Sequence, residues 1–291
     1  MFGIRSGSLR NRTSRCKPQA SDAVVIPRLD AGQESRNRME SSHPRGPQGP
    51  FFPTLEALAE ELGIEVRPSD RTGLHLRVED PIWVRDVLGA FGIEAILAPS
   101  RTGPLQDLVL SQAIADEEIS PLAHLLSSAL KPQAILFDLD GVLMDVEGGQ
   151  PGALGGLGNI NALAKSLPLG VVTGMGREQA TRLLESSGIA PLIAQLVSAD
   201  DATPKPSPDP VRLCLQRLGV KSAWMLGDNP TDMTAARLAA VIPLGVRPAA
   251  WARWADEQRA VHASALRAEG AVRVIDGIAD VLPLLMDQRL N

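Results

Sequence analysis

Apolar residues first recur at helical spacing and then alternate. Leu55, Leu58 and Leu62 predict a helix, with Thr54 as its cap and Gly63 as its stop. Two short alternating runs follow over 64–67 and 74–78, with a turn over 70–73 between them. A helix over 81–90, a strand over 93–97 and a helix over 121–130 come next. This α-β-β-α-β order predicts a small α+β domain over residues 52–130.

From residue 132 the period switches repeatedly between strand and helix. Apolar strands are expected at 134–137, 169–172, 192–197, 223–226, 241–244 and 272–275. Helical stretches are expected around 161–165 and over 178–187, 208–218, 231–239 and 278–286. Gly188 and Gly219 stop two of them. Strands alternating with helices predict an α/β domain over 131–291 with a doubly wound, Rossmann-like parallel sheet. Its ligands bind outside the carboxyl ends of the strands.

Residues 1–51 differ in kind. Arg5, Arg10, Arg12, Arg15 and Lys17 stand among Ser, Asn, Gly and Pro, and the tract 43–50 reads as a linker. A disordered basic tail is the expectation. The acid-poor, Arg/Ser-rich start also has the composition of an organelle transit peptide, but no apolar stretch of secretory type precedes a cleavage site. The protein is therefore expected in the cytoplasm.

Composition narrows the chemistry. The formal charge of −5 and the 3% aromatic content, with no Tyr, argue against a nucleic-acid partner. Cys16 and Cys214 are too few for a disulfide scaffold, and four dispersed histidines make a histidine-built metal site improbable. No apolar run reaches the ~18 residues of a membrane span. Carboxylates remain as the candidate reactive groups.

Four features fall at predicted strand ends. Asp138-Leu139-Asp140-Gly141 follows the first strand of the larger domain. Its acids lie two apart and lean to one side, and the glycine lets the chain turn. Thr173-Gly174 offers a hydroxyl and a close backbone approach to an anion. Lys205 sits between Pro204 and Pro206. Gly227-Asp228 precedes a helix that carries Asp232. Successive features are separated by stretches on the scale of the ~30-residue βαβ unit, which brings them to one sheet edge. Acids converging there with one lysine need a divalent cation, and hard oxygen ligands favour Mg²⁺. Asp138, Asp140 and Asp228 are its expected ligands, with Asp232 in support. Asp138 is the candidate nucleophile toward phosphorus and Asp140 the candidate acid/base. Thr173, Gly174 and Lys205 would grip the phosphoryl oxygens.

In this order the motifs resemble the haloacid dehalogenase superfamily over residues 132–288. The resemblance implies an aspartyl-phosphate on Asp138, proton transfer by Asp140 and Mg²⁺ as cofactor. The activity it implies is hydrolysis of a small phosphorylated metabolite. Within subfamily IA the sequences around 167–174, 205–210 and 223–228 look closest to a branch associated with histidinol-phosphate aminotransferase. The pattern over 63–78 looks like the tail of a fold-type I aminotransferase, where an arginine such as Arg77 binds a carboxylate. Arg77 as an ordinary exposed strand residue is the plainer reading.

One departure stands out. The cap domain usual in subfamily I has no room in the Gly-rich segment 146–172, so the site is expected to be open. It could be covered by the 52–130 domain or by a second copy of the chain. The lost cap also fits a non-catalytic regulatory or scaffold module. A phosphomutase is a third reading, although it needs a closing cap to exclude water. Asp145 reads as a turn residue, Arg177 as part of a solvated helix face, and Trp251 and Trp254 as packing or rim residues.

Overall fold

The computed structural model describes residues 55–68, 74–99, 106–110, 116–146, 154–248 and 254–287. The basic tail, the linker, Thr54 and Trp251 lie outside them.

The amino-terminal unit runs α1 (Leu55–Leu62), β1 (Glu65–Pro68), β2 (Leu74–Arg77), α2 (Pro81–Ala90), β3 (Ala95–Pro99), β4 (Gln106–Leu110) and α3 (Asp116–Leu130). Its strands form a four-stranded antiparallel sheet in the order β1-β2-β4-β3. The strand β4 has no counterpart in the sequence reading, yet it lies between β2 and β3. Leu108 and Leu110 are buried, while Asp107 faces Arg77. The helix expected at 121–130 begins five residues earlier and carries Pro121 inside it. In α2 the Asp80 side chain accepts a hydrogen bond from the Trp83 amide at 2.8 Å, and Pro81 opens the helix where no N–H is needed.

The second unit runs β5 (Ala134–Phe137), α4 (Leu157–Ser166), β6 (Leu169–Val172), α5 (Arg177–Ser186), β7 (Ile193–Val197), α6 (Asp209–Leu218) and β8 (Ala223–Gly227). It continues through α7 (Pro230–Leu238), β9 (Ile242–Val246), α8 (Asp256–Ala268), β10 (Arg273–Ile275) and α9 (Val281–Asp287). The six strands are parallel, in the order β10-β9-β8-β5-β6-β7. Chain order reverses on either side of β5, so the crevice between the ends of β5 and β8 is where such sheets bind ligands.

Alternation along each strand divides the core. On one face Ile135, Phe137, Leu169, Val171, Trp224 and Leu226 join a continuous apolar cluster with α3 and the amino-terminal unit. On the other, Leu136, Val172 and Met225 pack with Val211 and Cys214 of α6 and with Ala235 and Ala236 of α7. A β-carbon at Gly170 would come within 2.6 Å of the Cys214 sulfur, so only glycine lets α6 lie this close to β6. The Cys214 thiol is buried and its pKa is pushed up to about 12 by desolvation, which makes it core rather than nucleophile.

The two sheets are joined by a pair of tryptophans. Trp83 on α2 and Trp224 on β8 meet at a ring separation of 5.2 Å and a tilt of 58°. Their indole N–H groups donate to the Ala129 and Ser128 carbonyls of α3, at 3.0 and 2.8 Å. The Arg273 guanidinium lies 5.0 Å from the Trp83 ring centre. Trp224 is near the amino end of its strand, so this junction lies away from the crevice. Trp83→Ala should lower the unfolding free energy by about 3–5 kcal/mol, read as a reduced urea midpoint. An unchanged midpoint would show that the junction does not hold the units together.

Candidate active site

Each chemical feature sits just beyond a strand. The Asp138 amide donates to the Leu226 carbonyl at 2.8 Å, which continues the β5–β8 ladder by one residue and fixes the acid at the switch point. The chain then turns at Gly141, whose φ is +80°. A β-carbon there would lie 2.1 Å from Asp228 Oδ2, so glycine supplies both the turn and the room for Asp228 to approach.

Gly227 does the same for Asp232. A β-carbon at Gly227 would fall 2.3 Å from that of Asp232. Asn229 caps α7, and its amide donates to Asp232 Oδ2 at 3.1 Å, closing a capping box. The four-residue spacing from Asp228 thus places one acid on the loop and the next inside the first helical turn, facing the same point.

Lys205 joins these parts. Its ammonium donates to Asp138 Oδ1 at 2.6 Å and to the Val172 carbonyl at 3.0 Å, and it pairs with Asp232 Oδ1 at 2.5 Å. The Lys205–Pro206 peptide is cis. Asp138, Asp228 and Asp232 present carboxylate oxygens that all lie within 4.8 Å of one another. The structure therefore brings Asp138, Lys205, Asp228 and Asp232 together, with Asp232 a direct partner of the lysine rather than a peripheral support.

The remaining expected residues lie at the margins. Asp140 lines the cavity, but its Oδ1 accepts from the Val146 amide at 3.0 Å, and its carboxylate is outside the three-acid group. Gly174 lines the cavity, with open space where a β-carbon would stand. Thr173 is buried at the end of β6, and its hydroxyl accepts from the Met175 amide at 3.1 Å. Asp145 is buried and reaches the cavity wall as well as the turn.

The acids oppose one another. Burial first, then the neighbouring Asp232, push the Asp138 pKa up to about 7 against the pull of Lys205. Burial, then Asp138 and Asp232, push Asp228 up to about 8. Burial alone would lower the Lys205 ammonium, but Asp232 and Asp138 together raise it, so it stays charged. One lysine does not neutralise this group. An all-oxygen set of crowded, destabilised carboxylates suits a hard divalent cation, and Asp138, Asp228 and Asp232 are the side chains positioned to hold one.

The cavity has a volume of about 450 Å³. Its lining also includes Pro248, Trp254 and His262, of which the sequence singled out only Trp254, as a packing or rim residue. No described residue before Asp138 lines it. Between β5 and β6 the described residues hold α4 and no cap domain. Arg77 is engaged elsewhere, 3.1 Å from both Glu65 and Asp107. Arg177 is paired with Asp201 at 2.5 Å, away from the cavity.

Comparison with known proteins gives a match to the haloacid dehalogenase-like hydrolase family over residues 158–246. The match includes Thr173, Lys205, Asp228 and Asp232 and begins after Asp138 and Asp140. Phosphoglycolate phosphatase of Rhodospirillum rubrum is 43% identical over 94 residues, 31% of this chain and 38% of the relative. A Phytophthora nicotianae protein named imidazoleglycerol-phosphate dehydratase is 35% identical over 135 residues, 44% of this chain and 30% of the relative. The chain thus spans about a third of the length of these curated relatives. A hydrolase from Pseudomonas syringae, 21% identical, aligns over 53% of this chain and 97% of its own with a TM-score of 0.42.

Two outcomes follow from the geometry. Gly141→Ala should weaken Mg²⁺ binding by about 10- to 100-fold, by pushing Asp228 away. Calorimetry on a protein with unchanged circular dichroism checks this, and wild-type affinity would refute it. The raised carboxyl pKa values also set a pH dependence. In metal-free protein the folded state holds protons that the unfolded chain has released. Asp138 and Asp228 therefore cost stability as pH rises from about 4 to about 8. A cation needs both groups ionised and removes that cost. The rise in melting temperature on adding Mg²⁺ to EDTA-treated protein should be larger at pH 8 than at pH 6.

Proposed function

We propose that the protein is a Mg²⁺-dependent phosphomonoesterase acting on a small phosphorylated metabolite. The observation that carries this reading is the convergence of Asp138, Lys205, Asp228 and Asp232 at the switch point of a parallel sheet, beneath an open cavity. Similarity to haloacid dehalogenase-like hydrolases and to a phosphoglycolate phosphatase supports it.

Asp138, Asp228 and Asp232 would hold the cation, which when bound shields the acids and draws charge from the phosphoryl oxygens. Lys205 and the Gly174 backbone would bind phosphoryl oxygens on the other side, with Thr173 shaping that loop. An Asp138 carboxylate oxygen attacks phosphorus. The bond from phosphorus to the ester oxygen breaks, and that oxygen takes its proton from Asp140. Water then attacks the aspartyl-phosphate and gives a proton to Asp140. The Asp138–phosphorus bond breaks and inorganic phosphate leaves. Asp140 suits the second role because it lines the cavity while its Oδ1 is anchored by the Val146 amide.

The reading is tested with p-nitrophenyl phosphate. Phosphate release should require Mg²⁺, stop on addition of EDTA, and fall by about 1,000-fold or more in Asp138→Asn, as expected when a covalent nucleophile is removed. Equal rates for the wild type and Asp138→Asn would reject the nucleophile. Asp140→Asn should slow turnover while leaving Mg²⁺ binding measured by calorimetry intact, because its carboxylate stands outside the metal-holding group.

A further inference from the structure

We infer that Trp254 and His262 form the wall that recognises the organic part of the substrate, and that they select phosphomonoesters carrying a planar ring. This inference rests on the phosphatase reading for the identity of the transferred group.

The cavity is far larger than a phosphoryl group and lies within the ~300–1,000 Å³ range of small-molecule sites. Its lining divides by chemistry. Acids, a lysine and backbone come from the ends of β5, β6 and β8 and from the 204–205 segment. Pro248, Trp254 and His262, from the described part of the β9–β10 connection, complete the lining with two rings. The Trp254 and His262 ring centres are 5.1 Å apart with planes at 73°, an edge-to-face pair. A third flat ring extends such a pair by stacking or by a further edge contact, whereas a short aliphatic acid finds no matching surface there.

The wall is also fixed relative to the reacting groups. Leu266 of α8 is fully buried against Met233 of α7 and Ala271. The Thr234 hydroxyl donates to Glu269 Oε2 at 2.7 Å, tying α7 to the end of α8. Asp232 lies in the first turn of the same α7. The helix that positions the metal-holding acid is therefore the one on which the ring-bearing helix rests. With no cap between β5 and β6 among the described residues, this connection is the element placed to meet the leaving group.

Two phosphonates that cannot be hydrolysed separate the wall from the chemistry. Calorimetry in Mg²⁺ should show phenylphosphonate binding more tightly than methylphosphonate. Trp254→Ala should weaken phenylphosphonate by about 5- to 10-fold, the scale of a ring–ring contact, and leave methylphosphonate within about two-fold. Trp254→Phe should restore most of the preference, and His262→Ala should reduce it in the same sense. In turnover of phenyl phosphate the Trp254→Ala loss should appear mainly in KM. Equal binding of the two phosphonates by the wild type, parallel weakening of both by Trp254→Ala, or binding of neither overturns the wall. Ring preference without release of phosphate from phenyl phosphate would keep the wall and sink the phosphatase reading. Release without ring preference would do the reverse.

Discussion

The charged amine of Lys205, almost buried, is the constraint on which the rest of the site depends. An unpaired ammonium in such a place is too costly to persist. It is held because Asp138, Asp232 and the Val172 carbonyl all reach it. Those three groups belong to the ends of β5, α7 and β6. One cation thus draws three elements, distant in sequence, to a single point on the sheet edge. The pairing is incomplete: Asp228 is a further acid that the lysine cannot offset, and this excess makes the place attractive to a second, divalent cation.

Close approach is what makes the charges communicate, and glycine makes the approach possible. Gly141 lets Asp228 come up against the turn after β5, and Gly227 lets Asp232 fold back beneath β8. On the opposite face Gly170 lets α6 settle against β6. The glycines within Asp-x-Asp-Gly and Gly-Asp are therefore as much a part of the chemistry as the acids. A side chain at either would separate carboxylates whose value lies in their crowding.

Much of this was legible because parallel strands buried on both faces read as uninterrupted apolar runs. The segments 134–137 and 169–172 coincide with β5 and β6, and the acids that follow β5 and β8 mark the carboxyl edge. Elements with weaker patterns escaped. The strand β4 has two alternating leucines beside Gln106 and Asp107, too little to register alone; its neighbours β2 and β3 make it a strand. The helix α8 is rich in Ala with scattered polar residues and buries Leu266 almost alone, so it presents no apolar stripe. With α8 unseen, His262 could not be placed at the cavity. Asp232 was legible as a helix-start acid, but its bond to Lys205 depends on Gly227 and on the path of the 204–208 segment, and neither is a periodic signal.

The arrangement separates two tasks that a capped enzyme combines. Under the proposed function, grip on the phosphoryl group would come from strand ends whose positions are fixed by the central ladder. Contact with the organic group would come from Trp254 and His262, just before and on α8, which packs on α7 through Met233, Thr234 and Leu266. The amino-terminal unit meets the sheet through Trp83 and Trp224, toward the amino end of β8, and none of its described residues lines the cavity. Under the proposed function, the described residues between β5 and β6 supply no cap to shield an aspartyl ester from water, which favours its hydrolysis over transfer to a second substrate oxygen.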